Sequence, residues 1–77
     1  MRIEEIRKIN EANPFKPYTV RVSDGDGLPV PHPDFLFIPP VGGTVIVVDL
    51  QGCVTLVDAN HITKLEFSAA RAAKQSR

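Results

Sequence analysis

A chain of 77 residues, with nine Lys and Arg against nine Asp and Glu, has room for one small domain and carries no net charge. A domain of this size buries only about 60% of the surface its unfolded chain exposes. One cysteine, Cys53, and no CxxC spacing exclude a disulfide staple within the chain and a cysteine-based structural metal, so oligomerisation is left as the remedy for a small core.

The zero net charge hides an uneven distribution. Residues 1–67 hold six basic side chains (Arg2, Arg7, Lys8, Lys16, Arg21 and Lys64) and all nine acidic ones, whereas residues 68–77 hold only Arg71, Lys74 and Arg77. A phosphate-backbone binder carries a basic excess on its folded part, because each neutralised phosphate releases counterions. The mildly acidic body therefore disfavours nucleic acid as the partner. The longest apolar runs fall far short of the roughly 20 residues that cross a bilayer, so no membrane partner is expected. The first ten residues, MRIEEIRKIN, alternate charge and isoleucine, and with the lone cysteine they lead to the expectation of a cytoplasmic protein.

In chain order, Ile3, Ile6 and Ile9 recur every third residue among charged neighbours and predict an amphipathic helix over 1–12, stopped by Asn13-Pro14. Three turns are too few to stand alone in water, so the isoleucine stripe must dock on the sheet or on a partner. Tyr18, Val20 and Val22 alternate with Thr19, Arg21 and Ser23 as a half-buried strand, and Ser23-Asp24-Gly25-Asp26-Gly27 turns the chain. Leu28 to Pro31 follows as an edge or irregular strand, since Pro29 and Pro31 cannot donate to a ladder. His32-Pro33-Asp34-Phe35 reads as a tight turn and Phe35 to Ile38 as a third strand ended by Pro39-Pro40.

The stretch from Thr44 to Asp58, TVIVVDLQGCVTLVD, is the clearest hairpin, two β-branched runs about a Gln51-Gly52 turn. Val45 and Val47 are apolar, and so are Ile46 and Val48, which predicts a strand covered on both faces, the second by the helix or another subunit. Ala59-Asn60-His61 turns into a last strand, Ile62 to Phe67, with Thr63, Leu65 and Phe67 on one side and Lys64 and Glu66 on the other. The domain is expected to span 1–67 and to leave 68–77, SAARAAKQSR, as a basic disordered tail.

Few residues invite chemistry. Asp24-Gly25-Asp26-Gly27 alternates oxygen ligands as a calcium loop does, yet Leu28 and Phe35 stand where further ligands are needed, so a hairpin turn is the reading. His32, Asp34, Asp58 and His61 would suit a transition metal if the two turns met, but each residue also suits an exposed turn. Cys53 follows a hairpin turn with no sign of an activated thiolate, and Gly42-Gly43 precedes a strand and not a helix, so neither a nucleophile nor a phosphate loop is indicated. Tyr18 with Lys16 and Arg21 is the one aromatic and basic cluster, and core packing is the plainer role for the ring.

PFKPYTVRVSDG, VPHPDFLFIPP, TVIVVD and VDANHITKLE together resemble a group of short bacterial proteins of uncharacterised function that share a PF.P(Y/F) start, a DG turn, an HP(D/E) turn and a terminal I..LE strand. That resemblance covers residues 3–66 and implies no activity. One helix followed by five short strands is also loosely similar to the Sm-like (SH3-like) fold, a small, strongly bent five-stranded antiparallel barrel of ring-forming RNA-binding proteins. The Sm-like base-binding loop is met only by Asp34 in HPDFLF, with no asparagine after it, and by Asn60 and His61 in DANHIT.

The expectation is thus a mainly β domain of order α-β-β-β-β-β, a non-enzymatic interaction module without a cofactor that self-associates or binds a protein. Its expected surfaces are Ile3, Ile6 and Ile9 on the helix and Ile46 and Val48 on the hairpin. The alternatives are an Sm-like single-stranded RNA binder using Lys16, Tyr18, Arg21, Asn60 and His61 with the basic tail, and a metal-dependent enzyme at His32, Asp34, Asp58 and His61.

Overall fold

Two three-stranded antiparallel sheets and one helix make up the computed structural model, which describes residues 1–67. The expected basic tail lies outside the described residues. The first sheet orders its strands β2 (Gly27–Val30), β1 (Tyr18–Val22) and β6 (Ile62–Phe67), and the second orders β3 (Leu36–Phe37), β4 (Thr44–Val48) and β5 (Val54–Asp58). The five-strand expectation is revised to six strands, and among the described residues no ladder joins the sheets into a closed barrel. The six coincide with the six strand segments met in chain order along the sequence, so the five-strand order is one short of its own segments. Pro33–Phe35 forms one turn of 3-10 helix, so the segment that follows keeps only two ladder residues, Leu36 and Phe37. A second 3-10 turn, Ala59–His61, carries the chain from β5 back to β6 in the first sheet.

Helix α1 spans Ile3–Asn10, shorter than the expected 1–12, with Glu4 and Glu5 in its first turn and Arg7 and Lys8 in its last, the order that suits the helix dipole. Ile6 is wholly buried, and Ile3 and Ile9 pack against the core from its rim. The helix also ties the sheets together through polar contacts. Asn10 donates from Nδ2 to the carbonyls of Pro33 (3.2 Å) and Leu36 (3.4 Å) and accepts at Oδ1 from the Tyr18 hydroxyl (2.8 Å). At the other end the Met1 ammonium donates to the carbonyls of Ala59 (2.8 Å) and Ile62 (3.1 Å).

The core lies between the inner faces, with Tyr18, Val20, Val30 and Ile62 from one sheet meeting Leu36, Val45, Val47 and Val57 from the other. The last strand departs from strict alternation. Arg21 pairs with Lys64 but Val22 with Ile62, so Thr63 is a bulged extra residue and both Ile62 and Leu65 turn inward. Thr63 instead donates its hydroxyl to the Arg21 carbonyl at 3.2 Å. This corrects the sequence reading that set Thr63 on the same side as Leu65.

Both hairpin turns are built on an aspartate. Asp24 Oδ1 accepts from the Asp26 N–H at 3.0 Å with Gly25 at φ +102°, which is the hairpin reading of DGDG. Between β4 and β5 the turn is wider than Gln51-Gly52. Asp49 Oδ1 accepts from the N–H groups of Gln51 and Cys53, both at 2.9 Å, and Gly52 at φ +86° closes the loop.

Candidate functional site

The β4–β5 register decides what the second sheet presents to solvent. Val45 pairs with Val57 and Val47 with Thr55, and the three valines are buried; Ile46 pairs with Leu56 and Val48 with Val54 on the opposite side. Phe37 pairs with Ile46 from β3, so Phe37, Ile46 and Leu56 form one row across all three strands. Leu56 is 67% exposed, Val54 60% and Phe37 58%, while Ile46 and Val48 are half-buried beside them. Of the two covers expected for the second face of β4, the helix or another subunit, the helix is not one. Ile6 carries α1 into the core between the sheets, and within the described residues nothing covers the outer side.

Large side chains lie side by side on this face because cross-strand partners in an antiparallel sheet stand about 4.5–5.5 Å apart at Cβ. An apolar row of that kind, unbroken by charge, is the surface feature that marks interaction sites on small proteins. Asp58 stands opposite Thr44 at the end of the face, and its Oδ1 is committed to the Asn60 N–H at 2.9 Å. The isoleucines of α1 serve differently from expectation. Ile6 is unavailable to any partner, and Ile3 and Ile9 are largely spent on the core rim.

The residues considered for RNA are not brought to one surface. Tyr18 is 1% exposed, its ring tilted against Phe15 and edge-on to Phe67, so it offers no face for a base to stack on. Burial pushes its hydroxyl well above the usual tyrosine range. Arg21 donates from Nε to Glu66 Oε1 at 2.7 Å, and Lys64 approaches Glu66 Oε2 at 3.2 Å. These two hydrogen-bonded cations hold the Glu66 carboxyl below its ordinary range, Arg21 most strongly. Lys16 precedes β1, whereas Asn60 and His61 sit on the 3-10 turn next to Ser23, beyond the other end of that strand.

Nor do His32, Asp34, Asp58 and His61 converge, and no cluster of three or more His, Cys, Asp or Glu suited to a metal occurs among the described residues. His32 stacks on Phe35 with ring centres 6.3 Å apart, and Asp34 is exposed on its own turn. His61 Nδ1 lies 3.4 Å from Ser23 Oγ on an exposed surface, beside a groove of about 440 Å³ between β5 and the β1–β2 turn. Val22, Leu28 and Leu56 line the groove with Asp24, Asp26 and Asp58. Cys53 is an exposed free thiol just before β5.

Sequence reading named Ile46 and Val48 but missed Phe37, Val54 and Leu56, which complete the face. Their signal was the alternation itself: with the turn set at Asp49 to Cys53, every residue opposite Ile46 and Val48 follows by counting. Compared with known proteins, the chain matches no family model, no curated protein and no solved structure. No helix among the described residues is long and apolar enough to cross a membrane.

Proposed function

We propose that this chain is a non-enzymatic interaction module that self-associates through the outer face of the second sheet. The observation that carries the reading is the row Phe37, Ile46, Leu56, flanked by Val48 and Val54, which stays exposed after the helix has been used to fill the core. Burying one such side chain is worth roughly 1.5–3 kcal/mol as an upper estimate, so a pair of these faces holds ample driving force for association.

The fold reading that goes with it is a small barrel of the Sm-like or SH3-like kind. Taking β2 and β3 as the two halves of one bent strand, broken by the three-residue turn Pro33–Phe35, returns five strands in the expected order. The short helical turn Ala59–His61 between the final two strands supports the same path.

Mass in solution tests the function. The wild-type chain is expected to be larger than a monomer at high micromolar concentration, and Ile46→Asp to be a folded monomer. A wild-type chain that stays monomeric under those conditions removes self-association.

A further inference from the structure

Four strand edges are available in the two sheets, and three of them are blunted. On β2, the hydrogen bond from Val22 N–H to the Asp26 carbonyl (3.0 Å) sets the phase of pairing, which turns the backbone nitrogen of Pro29 away from β1. The outer rim of β2 thus lacks a donor there. β3 is two residues long. β6 is bulged at Thr63 and carries Lys64 and Glu66. These are the devices by which proteins stop unwanted strand addition.

β5 has none of them. Its sequence, Val54-Thr55-Leu56-Val57-Asp58, contains no proline, no bulge and a charge only at the last position. The bonds from Asp49 N–H to the Cys53 carbonyl (3.0 Å) and from Ala59 N–H to the Gly43 carbonyl (2.7 Å) fix which residues face β4. Those are Cys53, Thr55, Val57 and Ala59. The N–H and C=O groups of Val54 and Leu56 therefore point outward along the rim, above the groove beneath β5. An open edge with matched apolar side chains is the surface on which another strand adds.

We propose that this edge pairs with β5 of a second copy, antiparallel, about a two-fold axis at Thr55. This rests on the self-association reading and adds a second contact to it, because pairing edge to edge extends the apolar face and does not itself cover it. With the axis at Thr55, Val54 of each copy faces Leu56 of the other as a hydrogen-bonded pair, and the two Thr55 residues meet as a non-hydrogen-bonded pair. Apolar side chains then meet only apolar ones, and Asp58 falls beyond the paired residues. Moving the axis to Leu56 would set Asp58 against Val54, which is the worse match. The pairing joins the two sheets into one of six strands. Its outer face runs unbroken from Phe37, Ile46 and Leu56 onto Val54 and Val48 of the second copy. Self-complementarity of this kind is what a two-fold interface requires of one surface.

A single-cysteine chain reads the register directly. In a Cys53→Ser background, Thr55→Cys places two thiols across the axis with Cα atoms about 4.5 Å apart, within the span of a disulfide. Mild oxidation is expected to link this variant about tenfold faster or more than Cys53→Ser with Thr63→Cys on exposed β6, because pairing raises the effective thiol concentration. Val54→Pro removes an outward N–H and leaves the ladder to β4 intact, and it is expected to weaken the dimer about tenfold with unchanged circular dichroism. If wild type is dimeric by mass but Thr55→Cys links no faster than Thr63→Cys, edge pairing is overturned while the apolar-face reading stands. A monomeric wild type overturns both.

Discussion

The two sheets are the same size and share one core, yet their outer faces are opposites. On the first, Thr19 faces Pro29 and Glu66, and Arg21 faces Gly27 and Lys64. That surface is polar and internally paired, with Arg21 held by Glu66. The Arg21 guanidinium lies over Gly27, with Nη1 2.6 Å from where a Cβ would stand, so a side chain there would displace the flexible end of Arg21. On the second sheet the corresponding positions are Phe37, Ile46, Val48, Val54 and Leu56. The contrast teaches that one outer face is matched to water and the other is not, and the proposed docking role rests on that difference.

The largest effect that could break this contrast comes from charging neighbouring positions of β4. Val45 is fully buried and Ile46 is on the outer face. Val45→Asp leaves an unpaired carboxylate in the core, at a cost of several kcal/mol, which exceeds what a domain this small can lose. It is expected to be unfolded by circular dichroism. Ile46→Asp is expected to keep the wild-type spectrum and lose only the assembly. Unfolding by both would mean that the outer face is covered within the chain. Next in size, Ile6→Ala should lower unfolding free energy by about 2–5 kcal/mol in urea titration, because α1 fills the core. A loss under about 1 kcal/mol, as at surface positions, would return the isoleucine stripe to the surface.

The same contrast explains what was legible in the sequence. The helix, the Tyr18 strand, the DGDG turn and the hairpin from Thr44 are local patterns, and each stood close to where it was expected, whereas the part Asp49 plays in the second turn was not read. The inner side of β4 was not legible, because Val45, Ile46, Val47 and Val48 are all apolar and a period of two carries no direction. The bulge at Thr63 was hidden for a related reason, since only pairing with Arg21 and Val22 reveals an extra residue. The shortening of the third strand to Leu36 and Phe37 depended on how the prolines around His32 bend the chain. Ile46 and Val48 were named for their apolarity alone; that Leu56, Val54 and Phe37 stand beside them is a fact of register.

A smaller effect tests how the polar sheet is joined to the helix. Tyr18→Phe removes the hydroxyl that donates to Asn10 and is expected to cost about 0.5–1.5 kcal/mol. The hydroxyl also titrates higher in the folded chain than in the unfolded one, because burial disfavours the phenolate. Its contribution is therefore fully present below the unfolded value near pH 10 and falls as pH rises above it. Wild-type stability should decline above about pH 10, and Tyr18→Phe should flatten that decline. Equal slopes would place the alkaline sensitivity elsewhere.

The smallest expected effect lies on the outer face of the first sheet, where Glu66 is held by Arg21 and Lys64. Its carboxyl titrates lower in the folded chain than in the unfolded one, so its contribution is present above the ordinary carboxylate range and is lost as pH falls through the folded value. All three side chains are well exposed to solvent, so salt screens the interaction and most of its Coulombic part disappears in concentrated salt. Glu66→Gln should thus be slightly destabilising near neutrality at low salt, indistinguishable from wild type in acid, and without influence on assembly by mass. A loss of assembly in Glu66→Gln would end the division of labour between the faces, because it would make the paired, polar sheet part of the interface.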